Sequence, residues 1–204
     1  MTTHTIIFAS NNQHKVDEIK TLVPANFTVL TLKDAGIDID IPEPHDTLEA
    51  NATEKSSVIH KMTEKNCFSE DTGLEVTALN GEPGVKSARY AGEDRDNLAN
   101  IAKLLQKLQG HDNREARFRT VISLMWHTHE YLFEGRCNGR IIDTPRGGEG
   151  FGYDPVFIPD GSDKTFAEMT MEEKNQYSHR GKAVAQLVAF LNRVDDQKLV
   201  IPAE

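Results

Sequence analysis

The stretch FSEDTGLEV, residues 68–76, decides how the chain is read. Phe68, Leu74 and Val76 fall on alternate positions, as one buried face of a strand requires. Glu70 and Asp71 interrupt it, followed by Thr72-Gly73. Aspartate and glycine are poor strand residues, and a glycine inside a strand pattern marks a bulge or the close approach of another backbone. Two readings compete. Either the acids punctuate a turn between two strands, or they face something positive, such as a metal ion, with one of them holding a water for reaction.

Upstream, residues 5–9 (TIIFA) read as a short buried strand. Asn11 or Asn12 then caps a helix with Val16, Ile19, Leu22 and Val23 inward. Residues 27–32 alternate as a second strand. Asp46 and Glu49 have the spacing of a capping box, opening a helix striped by Leu48, Ala52, Ile59 and Met62. Downstream, residues 80–84 form a turn, and Asp94 or Asp96 starts a helix with Leu98, Ile101, Leu105 and Leu108 on one face. Residues 116–142 are rich in β-branched and aromatic side chains, which predicts two or three antiparallel strands with a turn at Asn138-Gly139. A glycine-rich loop spans residues 146–155, and residues 156–158 are a short strand. Thr170 and Glu173 form a capping box, and Ser178 caps a last helix that turns Ala183, Leu187, Leu191 and Val194 inward. Mixed strands with helices at both ends predict an α/β fold built on a mixed sheet. With no linker to part them, residues 1–204 read as one domain.

A chain of 204 residues is long enough for one large domain or two lobes sharing a core. Its formal charge is −9, from 32 acids against 23 Lys and Arg. That argues against a nucleic-acid polymer, whose binders carry a basic face, but leaves room for a small anion held by a few placed cations. Cys67 and Cys137 belong to no CxxC pattern and read as buried reduced thiols. The N-terminus lacks a basic, signal-like region, and no stretch has the length of a membrane span. The expectation is a soluble cytoplasmic protein.

Four constellations can carry chemistry. Ser10, Asn11, Asn12, Gln13, His14 and Lys15 lie where a strand gives way to a helix, and a helix N-terminus suits phosphate. Lys15 stands there against the helix dipole, which makes sense if an anion fills the turn. By itself the stretch is more often an ordinary capped helix, and it lacks the glycines of a Walker loop. Glu43, Glu70 and Asp71 offer three carboxylates from two segments. They could hold Mg²⁺, one activating a water, or they could be a surface acid and turn punctuation; spacing does not choose. Phe151, Gly152, Tyr153 and Asp154 could stack on a base and accept a purine N–H, or pack the core. His179 and Arg180, behind Ser178, repeat the theme of cations at a positive helix end, which suggests an anionic or carbonyl-bearing ligand. Lys55 could point to the same ligand or to solvent. His127 and His129 could share a strand face, but no third ligand completes a zinc site.

Taken in order, FASNNQHKVDEIK, SEDTGLEVTALNGEPGVKSARYAGE, GFGYDPVF and EEKNQYSHRGKA closely resemble the HAM1-like family of inosine/xanthosine triphosphate pyrophosphatases. The resemblance runs over nearly the whole chain. It implies a long mixed sheet with flanking helices, two lobes around a central cleft, and a homodimer. It implies Mg²⁺-dependent hydrolysis of the small-molecule triphosphates ITP, dITP and XTP to the monophosphate and pyrophosphate. Residues 10–15 match the family's phosphate-binding turn, and Asp71 its general base and metal-associated acid. Glu43 falls at a second metal acid, and Thr72 at a hydroxyl near the substrate. Phe151 to Asp154 match the base pocket, with Phe151 as the stacking ring. Lys174, His179 and Arg180 match substrate-binding residues, the last two near the 6-oxo edge. Lys15, Lys55 and the metal would neutralise the triphosphate. Two positions depart from the pattern. Glu70-Asp71-Thr72-Gly73 stands where many members have Asp-Asp-Ser-Gly, and Ala50-Asn51-Ala52 stands where Glu-Asn-Ala is usual. The alternatives are a Maf-like pyrophosphatase for other nucleotides, and a nucleotide sensor without turnover.

Overall fold

The computed structural model describes residues 4–196. Its elements are β1 (His4–Phe8), α1 (Gln13–Lys20), β2 (Phe27–Thr31), α2 (Leu48–Thr63), β3 (Cys67–Val76), β4 (Pro83–Gly84), α3 (Asn97–Lys107), β5 (Glu115–Trp126), β6 (His129–Ile141), β7 (Phe157–Pro159), α4 (Met171–Tyr177) and α5 (His179–Asp196). The sheet runs β2-β1-β3-β5-β6-β7, with β4 added to β3. β1 is parallel to β2 and β3, and the remaining pairs are antiparallel. The expected mixed α/β sheet is therefore present.

The acids do not mark a turn. FSEDTGLEV lies within one unbroken strand, β3, with Glu70 opposite Ile122 and Asp71 opposite Val121 on β5. Alternation along a strand sends neighbours to opposite faces, so Glu70 and Asp71 serve different sides of the sheet. Gly73 is explained by close approach: a Cβ there would lie 2.5 Å from the carbonyl oxygen of Gly84 on β4. β1 pairs with β3 only as far as Phe8 opposite Phe68. Beyond that point β1 leaves the sheet as the Ser10–Lys15 turn, beside the two acids.

Two large cores flank this point. One gathers Leu74, Tyr90, Leu104, Phe118, Phe157 and Phe166. The other gathers Phe8, Ile19, Phe68, Leu124, Ala183 and Leu187. β3 and β5 contribute to both, so the same strands carry the two lobes and the cleft between them.

Several local expectations change. α2 is capped by Thr47, whose hydroxyl accepts the Ala50 N–H at 3.2 Å, and not by an Asp46–Glu49 box. Residues 116–142 form two long strands turning at 127–128, with Asn138 and Gly139 inside β6. His127 therefore sits in the turn, in a left-handed conformation with φ 53°, and does not share a strand face with His129. Leu98 and Met62 are 78% and 55% exposed, so neither belongs to its helix's buried stripe. Asn12 caps α1, Asp96 caps α3, and Thr170–Glu173 forms the expected box on α4. Ser178 accepts the Gly181 N–H at 2.8 Å at the start of α5. Both cysteines are free and buried.

Candidate active site

A cleft of about 420 Å³ opens where β1 leaves the sheet. Its walls come from the turn after β1, the loop before α2, the middle of β3, the loop before β7, and the start of α5. Ser10, Asn11, Asn12, His14 and Lys15 line it. Gln13 turns away and donates to Asp17 at 2.6 Å. Asn12 accepts the Lys15 N–H at 3.3 Å, and the Ser10 hydroxyl accepts the Asn12 N–H at 3.2 Å, so the turn is held by its own short polar side chains.

Asp71 faces α2. Lys55 reaches it at 3.5 Å from Oδ1, and Asn51 donates to Oδ2 at 3.3 Å. The same Lys55 ammonium lies 2.5 Å from Glu43 and donates to the Glu70 carbonyl at 2.7 Å. Burial pushes the Asp71 carboxyl above its ordinary value, and Lys55 and Lys15 only partly oppose this. Burial works against Lys55 as well, but Asp71 and Glu43 outweigh it and hold the ammonium protonated. One ammonium between two carboxylates leaves a net negative charge at this end of the cleft.

Glu70 faces the other side. It lies 2.9 Å from Lys15, and Arg180 grips it through Nε at 2.8 Å and Nη2 at 3.1 Å. Burial opposes its charge, but Arg180 and Lys15 more than offset this and hold the carboxyl well below the ordinary range. The pairing continues from Arg180 Nη1 to Glu18, from Glu18 to Lys174 at 2.6 Å, and from Lys174 to Asp154 at 2.8 Å. Six buried or nearly buried side chains thus alternate in sign from the β1 turn to the loop before β7.

That pairing corrects the picture of free cations at the α5 terminus. Arg180 is 2% exposed and neutralised by two carboxylates. His179 is no cation: burial, Arg180 and Lys174 push it well below its ordinary value. Its ring stacks on Phe118 with centroids 4.7 Å apart, and its buried Nδ1 has no hydrogen-bond partner among the described residues. Phe151 is half-buried and covered by His14 at 5.1 Å between centroids. The Lys174 ammonium lies 5.4 Å and the Arg180 guanidinium 5.6 Å from the centre of the same ring. Asp154 Oδ2 accepts from Phe151 N at 2.9 Å as well as from Lys174, so it shapes the loop. Tyr153 both lines the cleft and joins a core, its hydroxyl donating to the Ser87 carbonyl at 2.9 Å. Thr72 shares a 2.6 Å hydrogen bond with Thr120 and lies 3.5 Å from Arg180 Nη2.

The three-carboxylate metal site does not assemble. Glu70 is taken by cations, and among the described residues no group of three His, Cys, Asp or Glu gathers as a metal site. Glu43 and Asp71 remain, converging on one ammonium. Two carboxylates with room for water and phosphate oxygens fit the oxygen-only, largely hydrated coordination of Mg²⁺. Glu49 is unavailable, being paired with Arg119.

Some residues lining the cleft or bonded to its walls carried no sequence signal of their own. Glu18 reads as a surface acid of α1 but is 3% exposed. Phe118 reads as an ordinary strand aromatic. Arg89, inside the second of the four family-like stretches, and Arg95, just beyond it, also line the cleft but were not singled out. Asn51 was legible in principle, as a polar residue beside the buried Ala52 and Leu48.

Fold and cleft together define an α/β protein whose cleft sets a buried carboxyl, raised above its ordinary value, beside Lys55 and the start of α1. More narrowly, the chain belongs to the Ham1 family, whose profile matches residues 6–190. It is 49% identical over 186 residues to the dITP/XTP pyrophosphatase of Flavobacterium johnsoniae, covering 91% of this chain and 97% of that one. It is 50% identical over 187 residues to that of Porphyromonas gingivalis, covering 91% and 96%. The structure of the Staphylococcus aureus Ham1 protein superposes with a TM-score of 0.85 at 43% identity, covering 93% of this chain and 98% of that one.

Proposed function

We propose that this chain hydrolyses non-canonical purine nucleoside triphosphates, ITP, dITP and XTP, to the monophosphate and pyrophosphate. The observation that carries the reading is one cleft with two chemically distinct ends. At one end a buried Asp71 lies beside Lys55 and below the Lys15 turn. At the other, Phe151 lies over Lys174 and Arg180, next to the neutral His179. A triphosphate fits the first end and a purine the second.

Asp71 is the general base. Bonds to Lys55 and Asn51 fix its carboxylate at the phosphate end of the cleft, and geometry selects a general base before its pKa does. Asp71 accepts the proton of a water that attacks the α-phosphorus, and pyrophosphate leaves. Lys15 and the start of α1 hold phosphate oxygens, and Lys55 fixes the position of the base. Positioning and charge neutralisation are most of what phosphoryl chemistry asks of a protein. Glu43 and Asp71 would hold Mg²⁺, which supplies the positive charge that a triphosphate needs beside two carboxylates. At the base end, four hydrogen bonds occupy Arg180, leaving one of its five N–H groups for a 6-oxo oxygen. A 6-amino group would set donors against donors, and a buried polar mismatch discriminates strongly.

Residues 1–204 act as one domain, supported by strands β3 and β5 shared between the cores. The protein works as a cytoplasmic homodimer; among the described residues no helix is long and apolar enough to cross a membrane. Phosphorus NMR of ITP and of ATP with the protein and Mg²⁺ tests the reading. IMP and pyrophosphate from ITP, with ATP intact, are expected. IDP and phosphate would overturn the bond assignment, and equal turnover of ATP the base reading.

A further inference from the structure

Glu70 is the puzzle left by the strand. It is fully buried on β3, it ligates nothing in the reaction scheme, and an apolar residue would fit a strand better. A buried carboxylate persists only when paired, and this one is paired twice. Oε1 faces Lys15 at 2.9 Å and Arg180 Nη2 at 3.1 Å, while Oε2 faces Arg180 Nε at 2.8 Å. Lys15 belongs to the phosphate end, and Arg180 to the base end.

We infer that Glu70 is a positioning residue that couples phosphate seating to base reading, by sharing one carboxylate between Lys15 and Arg180. The inference rests on the function proposed above. In the ligand-free cleft the two cations compete for Oε1. A phosphate chain draws the Lys15 ammonium toward its own oxygens. Glu70 is then left to Arg180 alone, as a two-point clamp of the kind guanidinium and carboxylate form best. The clamp, with Glu18 on Nη1, fixes the plane of the guanidinium and the direction of its free N–H. The base is therefore read by a more rigid donor once the phosphates are seated. Because coupling between two sites is reciprocal, a correct base tightens the hold on phosphate by the same factor.

The test separates the two halves of the substrate. Inorganic tripolyphosphate and inosine are titrated with Mg²⁺ by calorimetry or NMR, each alone and in the presence of the other. Reciprocal tightening of about fivefold or more is expected, and it is lost in Glu70→Gln, which keeps the shape and removes the charge. Should that variant fail to fold, Lys15→Gln makes the same cut from the phosphate side, and its coupling factor falls to about one. ITP turnover together with independent binding of the two ligands, no detectable inosine binding even with tripolyphosphate, or tightening that survives either variant overturns the coupling. Failure to turn over ITP would instead overturn the function beneath it.

Discussion

Asp71 and Glu70 are neighbours in sequence with opposite electrostatics. Both are buried, but Glu70 is matched by Arg180 and Lys15 and is held strongly acidic, while burial wins at Asp71. A carboxylate whose folded pKa is raised costs stability at neutral pH, because the unfolded chain ionises it more easily. Asp71→Asn removes that charge with almost no change of shape, and Lys55 keeps Glu43 and the Glu70 carbonyl as partners. Turnover of ITP is expected to fall by about a hundredfold or more while the nucleotide still binds. The ligand-free variant should also melt a few degrees above wild type at pH 7. That gain should shrink as pH falls through the raised pKa, where the wild-type carboxyl takes up its proton. Thermal melts across the pH range read this directly. A variant less stable than wild type at pH 7 would mean that the Lys55 pairing outweighs burial.

Among the elements, α5 carries the base end and β6 sets where it sits. Gly135 on β6 lies under the first turn of α5, where a Cβ would come 1.9 Å from the His179 carbonyl oxygen and 2.6 Å from Ala183 N. These contacts are backbone and cannot swing aside. Gly135→Ala must lift the helix start, and His179 and Arg180 with it. A loss of about 1–3 kcal/mol is expected from such overpacking, together with a lower ratio of ITP to ATP turnover. Urea denaturation and paired kinetics measure both, and an unchanged ratio would separate the position of α5 from base selectivity. Such packing explains what the sequence did and did not reveal. Caps such as Asn12, Asp96 and Thr170 were legible because they act within one turn. The continuity of β3 was not, because its acids are stabilised by cations from α1, α2 and α5, far away in the chain. Glu18 shows the same limit: nothing local distinguishes it from a solvated acid, and only α4 and α5 bring Lys174 and Arg180 to it. The motifs did reveal which residues gather, since all the proposed site residues except Gln13 and Glu70 line the cleft.

For the molecule as a whole, the alternating ion chain and the two raised aspartates set how stability responds to acid. Glu18 and Glu70 are held below their ordinary values despite burial, Glu18 by Arg180 and Lys174. Their contribution is fully present above the unfolded carboxylate range near ~4.3 and is lost as pH falls through the folded values. Asp71 and Asp154 have the opposite sign: burial raises both, Lys174 only partly opposing it at Asp154. Their cost is present at neutral pH and is relieved as pH falls through their folded values. His179 opposes this relief, because below about pH 6.5 the unfolded chain takes up a proton that the buried ring refuses. In His179→Asn, urea midpoints of the ligand-free protein should therefore rise modestly as pH falls through the folded values of the two aspartates, then fall steeply below about pH 4, and wild type should rise less. The formal charge of −9 also relaxes as pH falls and adds to the rise. Asp71→Asn separates surface charge from the aspartates, since it removes one raised carboxyl and leaves the rest of the surface unchanged. Combined with His179→Asn its rise should be smaller, whereas an identical rise would assign the whole effect to surface charge. Adding Mg²⁺ with a non-hydrolysable ITP analogue should flatten the aspartate contribution in wild type, because ligands that favour ionised Asp71 hold back its protonation. The same acid that makes the empty cleft costly at neutral pH is then the group stabilised when substrate arrives.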